Sequence, residues 1–324
     1  MRQNNIFLML LKVFFFSSIL VATSAVRAEL KVVTTIKPLH SLIANVMDGV
    51  GEPALLIEGS TSPHSFTLKP SHAKLLEEAD IIFWVGESIE TFMERPLESI
   101  VKNAEVVEFM EVESINKLKF REESIFEDHD DHDDHDDHDE HDDHDDHSGH
   151  DDHGHAHGEF DAHIWLDPMN AKEMVHEIAH ELGDLDPANK NKYEANAQAT
   201  IQALDQLIND IEKGINKDAK FVVFHDAYQY FEERFETRAA GALTLNTDVL
   251  PGAKQIADIQ DVIKDRGIKC IFSEPQFNPK IITTIAEDMN IKTGVFDPLG
   301  ANIDSNKDLY FKLIQNLGNE LKGC

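Results

Sequence analysis

The chain has 324 residues, 41% of them hydrophobic and 8% aromatic, and a formal net charge of −32. That length supports two ordinary domains, each burying its own core. So acidic a chain repels phosphate backbones, which argues against nucleic acid as a partner and in favour of a cation.

The N-terminus reads as an export signal. Arg2 and Lys12 supply the positive charge, residues 13–22 form a ten-residue apolar run, and Val26 and Ala28 stand where a signal peptidase reads. Spanning a bilayer takes about 20 apolar residues, so this run is too short to be a membrane helix. Cleavage is expected after Ala28, giving a signal peptide of residues 1–28, and no cysteine stands there to carry a lipid anchor. The mature chain is expected in the periplasm, soluble and monomeric.

Strand-like and helix-like runs then alternate. Residues 30–36 (Leu-Lys-Val-Val-Thr-Thr-Ile) read as a strand, and Pro38 opens a helix to about Met47. Residues 53–57 are a second short apolar run, 71–79 are helical, and 80–85 and 105–109 are further strands. The second half repeats the pattern with strands at 220–224, 241–245, 269–273 and 292–296. Such alternation implies parallel sheets wrapped by helices, and two sets imply two α/β lobes, 29–186 and 215–324. Between them, residues 187–214 have no internal Gly or Pro and place Tyr193, Ala197, Ile201, Leu204, Leu207 and Ile211 at helical spacing. A helix of that length would run about 42 Å and make one long, rigid connection with little hinge motion.

Residues 127–157 interrupt the first lobe. Here histidine recurs with a period of three, mostly as His-Asp-Asp, at His129, His132, His135, His138, His141, His144, His147, His150 and His153, followed by His155 and His157. Sixteen acidic side chains and no Lys or Arg occupy 127–153, half of the chain's net charge. A segment so charged and so poor in apolar residues cannot offset its ordering entropy, and it is expected to be disordered without metal. Imidazole and carboxylate both ligate borderline divalent ions such as Zn²⁺, so the tract offers several weak, exchanging sites. A merely solvated acidic loop would not account for eleven such histidines. Affinity alone does not select zinc over Ni²⁺, Cu²⁺ or Co²⁺.

Three other histidines stand where chain geometry favours a ligand. His64 follows the second strand, His163 precedes a helix, and His225 directly follows the strand at 220–224. Ligands of open α/β sheets bind at the carboxyl ends of strands. Asp297 and Glu274 share that address in the second lobe. His40, in the first helical turn after the first strand, is a candidate neighbour on the same rim, and His72 reads as surface. The segment His176-Glu177-Ile178-Ala179-His180 spells the HExxH of zinc proteases. Both of its histidines, however, fall outside the apolar face formed by Met174, Val175, Ile178, Ala179 and Leu182, so a surface helix is the better reading. No nucleophile sits beside an activating base, and the chain is not expected to be an enzyme. The two cysteines, Cys270 and Cys324, form either a disulfide, the usual state of a lone pair in an oxidising compartment, or two separate thiols.

Four motifs carry a resemblance. They are Ser62-Pro63-His64 with Leu68-Lys69-Pro70-Ser71, the run from Asp161-Ala162-His163-Ile164 to Trp165-Leu166-Asp167-Pro168, Phe224-His225-Asp226-Ala227-Tyr228-Gln229-Tyr230-Phe231, and Phe296-Asp297-Pro298-Leu299-Gly300. From Ile36-Lys37-Pro38-Leu39-His40-Ser41 to the C-terminus the chain resembles the zinc-type substrate-binding proteins of bacterial ABC metal importers. That resemblance implies capture of Zn(II) between two α/β lobes and delivery to a membrane permease. It implies His64, His163 and His225 as ligands, with Asp297 completing the site or lying near it. Manganese-type relatives carry Glu where this chain has His225. Zinc-type ones carry an acidic His-rich insert, and Gram-negative ones a disulfide matching Cys270–Cys324. Some relatives place an extra Glu ligand where Pro63 stands, so the fourth position stays open here. The competing readings are a protease using His176 and His180, and a metal buffer or chaperone acting through the tract alone.

Overall fold

The computed structural model describes residues 29–126, 159–245, 247 and 251–324. The expected signal peptide and the whole of the His/Asp tract therefore lie outside the described residues. The first sheet is built from Val32–Thr34 (β1), Ala54–Leu55 (β2), Ile81–Trp84 (β3) and Glu105–Glu108 (β4), interleaved with helices Lys37–Val46 (α1), Pro70–Glu78 (α2) and Glu94–Ser99 (α3). Helices Pro168–Leu185 (α4) and Lys190–Glu212 (α5) follow. The second sheet takes Phe221–His225 (β5), Ala242–Thr244 (β6), Cys270–Ser273 (β7) and Lys292–Val295 (β8). With it go helices Gln229–Phe235 (α6), Ala253–Asp265 (α7), Lys280–Met289 (α8) and Leu309–Lys322 (α9).

Both sheets are wholly parallel, in the orders β2-β1-β3-β4 and β6-β5-β7-β8. Their central strands are mostly apolar, as suits parallel strands covered on both faces, with Thr34, His225 and Ser273 as polar residues at the strand ends. Every residue of Ile81–Trp84 and Phe221–His225 is buried. Alternate residues of β5 serve two cores: Phe221 and Val223 join the main cluster that runs through both sheets, whereas Val222 and Phe224 join a second one with Leu243, Ile259, Ile263 and Ile271. In each sheet the second strand is added on one side of the first, and the third and fourth on the other. The crevice at such a switch point lies above the first and third strands, here β1/β3 and β5/β7.

Helix starts follow local chemistry. Proline occupies the first turn of α1, α2 and α4, where its fixed φ suits the helix and its missing N–H costs nothing. Asp167 caps α4 by accepting Met169 N–H at 2.8 Å. The helix expected over 187–214 is observed as α5, starting later because Asp186 and Asn189 close a turn ahead of it (Asn189 Nδ2 to Asp186 Oδ2, 2.6 Å). Its stripe of Tyr193, Ala197, Ile201, Leu204, Leu207 and Ile211 is buried. Its 23 residues rise about 35 Å, packing against α1, α4 and α9.

Polar contacts tie the first half of the chain to the second. The Lys37 ammonium, buried at the start of α1, donates to Gly300 O, Ala301 O and Ile303 O at 2.7, 3.0 and 2.7 Å. Trp165 Nε1 donates to Pro298 O at 2.8 Å, and Tyr310 Oη donates to Trp165 O at 2.7 Å. Arg121 bridges Asp226 and Glu232 at 2.8 and 2.6 Å and lies 4.0 Å over the Phe126 ring. Residues 124–126 run antiparallel beside β6, with Ala242 N donating to Ser124 O at 2.8 Å and Phe126 N to Ala240 O at 3.1 Å. Gly241 permits this approach, because a Cβ there would lie 2.6 Å from Ser124 O.

Cys270, the first residue of β7, is disulfide-bonded to Cys324, which follows α9. The bridge closes a separation of 54 residues, worth about 4 kcal/mol if it acts only on unfolded-chain entropy. Cys324→Ser is therefore expected to lower the denaturant midpoint markedly. Alkylation should find no free thiol in the oxidised protein and two after reduction; a midpoint equal to the parent's would show that the bridge stabilises nothing.

Candidate metal centre

Each of the three histidines singled out in the sequence is held by a different local device. His64 sits in the 3-10 turn Pro63–Ser65, where Pro63 restricts the backbone and Ser62 Oγ accepts His64 N–H at 3.3 Å. His163 is fixed from two residues upstream: Asp161 Oδ1 accepts its backbone N–H at 2.9 Å and pairs with ring Nδ1 at 2.7 Å. Asp161 is itself held through Oδ2 by Gln229 Nε2 at 2.8 Å, and through its carbonyl by Tyr230 Oη at 2.6 Å. His225 is the last residue of β5, and its Nδ1 lies 2.6 Å from Oε1 of Glu274, the residue after β7. His225 and Glu274 thus flank the switch point of the second sheet.

The fold brings the three imidazoles together, with one ligand nitrogen from each lying within 4.8 Å of the others. Ring centroids are 5.2 Å apart for His163 and His225, and 5.6 and 5.9 Å from His64 to those two. His163 and His225 are buried, and His64 is half-buried. A carboxylate only accepts, so Asp161 and Glu274 assign the ring proton of each buried histidine to Nδ1. The two Nε2 lone pairs then face each other at 3.3 Å. Such an arrangement demands a proton or a metal cation between them.

The surrounding charge suits a cation. Burial opposes protonation of His225, but the Glu274 carboxylate, with Asp226 and Asp161 behind it, outweighs burial and holds the ring's pKa above the ordinary imidazole value. Asp226 is pushed up to about 7 by burial, against the pull of Arg121. The cavity at the three histidines is walled by Ile89, Trp165, Phe277 and Leu299 and measures about 10 Å³, room for a single ion or water.

The structure does not bring Asp297 into this group. Its Oδ1 accepts Gln276 Nε2 at 3.1 Å and Leu299 N at 3.2 Å, and its Oδ2 accepts Ala301 N at 2.6 Å. His40 is turned to Pro53 O (3.1 Å) and lies away from the cavity lining. His72 is half-buried and stacked on Phe66. His176 and His180 are exposed on α4, and among the described residues no third ligand joins them. The loop histidines His129 to His157 lie outside the described residues. The sequence had not assigned the orienting roles of Asp161 and Glu274. The Asp-x-His spacing is a local signal for the first; Glu274 reaches His225 across 49 residues and leaves none.

The chain is similar to known zinc-uptake proteins. The sequence profile of the ZnuA family, described as zinc-uptake complex component A, periplasmic, matches residues 32–324. The high-affinity zinc uptake system protein ZnuA of Brucella abortus is 49% identical over 303 residues, covering 90% of this chain and 91% of that one. Its namesake from Yersinia pestis is 32% identical over 310 residues, covering 95% of each. A crystal structure of ZnuA shares the fold with a TM-score of 0.70 at 21% identity, over 90% of this chain and 98% of that one. The chain belongs to the ZnuA family of periplasmic zinc-uptake components and is a transport protein, not an enzyme.

Proposed function

We propose that this chain captures Zn²⁺ on His64, His163 and His225 and delivers it to the membrane permease of an ABC importer. The observation that carries the reading is the pair of buried imidazoles whose lone pairs meet at 3.3 Å, each ring locked by its own carboxylate. Zinc takes imidazole nitrogen in a four-coordinate shell at about 2.0–2.1 Å per bond, and two nitrogens at roughly tetrahedral angles around it would stand close to this separation. The ligands come from both lobes, His64 and His163 from 29–186 and His225 from 215–324, so the ion bridges them. Helix α5 is the stiff connection between these lobes, and the contacts of Lys37, Arg121 and Trp165 keep them in register. Residues 1–28 export the chain, and the His/Asp tract collects or buffers zinc ahead of the buried site.

Removal of residues 127–157 is expected to leave one chelator-resistant zinc per chain while total capacity falls by more than one ion. Adding His225→Ala to that variant should abolish the remaining ion. Equilibrium dialysis against a competing chelator measures both, and loss of all tight zinc on removing the tract alone would make the chain a tract-based buffer instead.

The pH dependence has a definite sign. A histidine must shed its proton to donate to the metal, and the His225 pKa is raised by Glu274. Below that raised value each ion displaces a proton from His225, and above it none. Zinc affinity should therefore climb with pH through the ordinary imidazole value of about 6.5 and level off only above it. Competition titrations from pH 5 to 8 test this, and a flat profile would point to carboxylate ligands.

A further inference from the structure

Three histidines leave one corner of a tetrahedral shell to fill. Gln276, three residues beyond the end of β7, lines the same cavity as the histidines. Its Nε2 donates to Asp297 Oδ1 at 3.1 Å. Because a carboxylate cannot donate, that bond fixes the orientation of the amide, with the nitrogen on Asp297 and Oε1 left over. Oε1 is buried and has no hydrogen-bond partner among the described residues. A buried amide oxygen in that state is costly unless something satisfies it.

Asp297 is committed to Gln276 and to the backbone of Leu299 and Ala301. Glu274 Oε2 is also buried without a hydrogen-bond partner among the described residues, but that carboxylate grips Nδ1 through Oε1, on the side of the His225 ring turned away from Nε2. Pro63, beside His64, offers no side-chain donor. We infer that Gln276 Oε1 completes the zinc shell, either as the fourth ligand or as the acceptor that holds a single water ligand, and that Asp297 acts by orienting it. This rests on the zinc reading above. It also assigns specificity: a neutral oxygen suits zinc among imidazoles, whereas an anionic carboxylate at that corner favours Mn²⁺, which prefers oxygen donors.

The test uses the full chain carrying its one chelator-resistant zinc. A crystal structure of that form should place Oε1 about 2.0–2.2 Å from the ion, or hydrogen-bonded to its water. A fourth corner filled by Asp297, by Glu274, or by water out of contact with Gln276 overturns the inference. In solution, Gln276→Ala should weaken zinc about 10- to 100-fold, the usual cost of losing a group that supports a metal shell. Gln276→Glu should move the Zn²⁺/Mn²⁺ preference towards Mn²⁺. Asp297→Asn keeps an acceptor for Nε2 in Oδ1 but turns an amide nitrogen towards Ala301 N–H, so a loss smaller than that of Gln276→Ala is expected; a loss as large as that of His225→Ala would make Asp297 the ligand. If His225→Ala removes the ion while Gln276→Ala matches the parent, only the fourth-donor inference fails. If His225→Ala keeps the chelator-resistant ion, the zinc reading itself fails.

Discussion

Two imidazole lone pairs facing each other at 3.3 Å inside the protein are the constraint on which the rest of this structure depends. Left to itself such a pair would turn a ring or recruit a proton. Neither ring is free to turn, because Asp161 and Glu274 hold the Nδ1 atoms at 2.7 and 2.6 Å. Burying two carboxylates beside two histidines is expensive unless each charge finds a partner. Glu274 makes the His225 ring more basic, hence a better ligand and also a better proton acceptor. A site that binds zinc through these rings would trade tight binding at neutral pH for sensitivity to acid, and a divalent cation would resolve the repulsion between the two nitrogens.

Holding this arrangement takes both halves of the chain. His163 and His225 are 62 positions apart, and their approach depends on the two sheets keeping a fixed relation. Lys37, Trp165, Tyr310 and Arg121 supply it through contacts that are largely buried. Lys37 is the clearest case: burial lowers its pKa, and three carbonyls with the nearby charge of Asp297 and Asp304 compensate the ammonium. A residue of that kind specifies geometry, since removing either side leaves a buried group unpaired.

Much of this could be read from residues alone. The alternation of strand and helix gave the two parallel sheets, and the apolar stripe of α5 was visible at its true spacing because period 3.6 survives any tertiary context. His64, His163 and His225 stood out as histidines at strand or helix boundaries. The HExxH helix was readable as a decoy because its apolar face excludes both histidines. The polar scaffold behind the ligands was not readable in this way. Glu274 and Gln276 lie far in sequence from what they touch, and glutamine carries no pattern as a metal-site residue. Asp297 follows β8 much as His225 ends β5, and only the positions of Gln276, Leu299 and Ala301 show where its oxygens are spent.

Attraction and selection fall to different parts of the sequence. A net charge of −32, half of it in residues 127–153, draws any divalent cation by its field, whatever conformation that segment takes. Carboxylates and imidazoles strung along a chain discriminate weakly, because affinity then follows the metal's own order of preference. Discrimination needs fixed donors, few in number, in a space too small for extra waters. A cavity of about 10 Å³ meets that condition: an ion that insists on six oxygen ligands must leave most of its shell outside. Zinc loses less on entry, since four donors satisfy it and three imidazoles are already aimed. On the proposed function the acidic segment can thus be long, repetitive and unselective without blurring the choice of metal, because that choice would fall to His64, His163 and His225 and to the oxygen of Gln276.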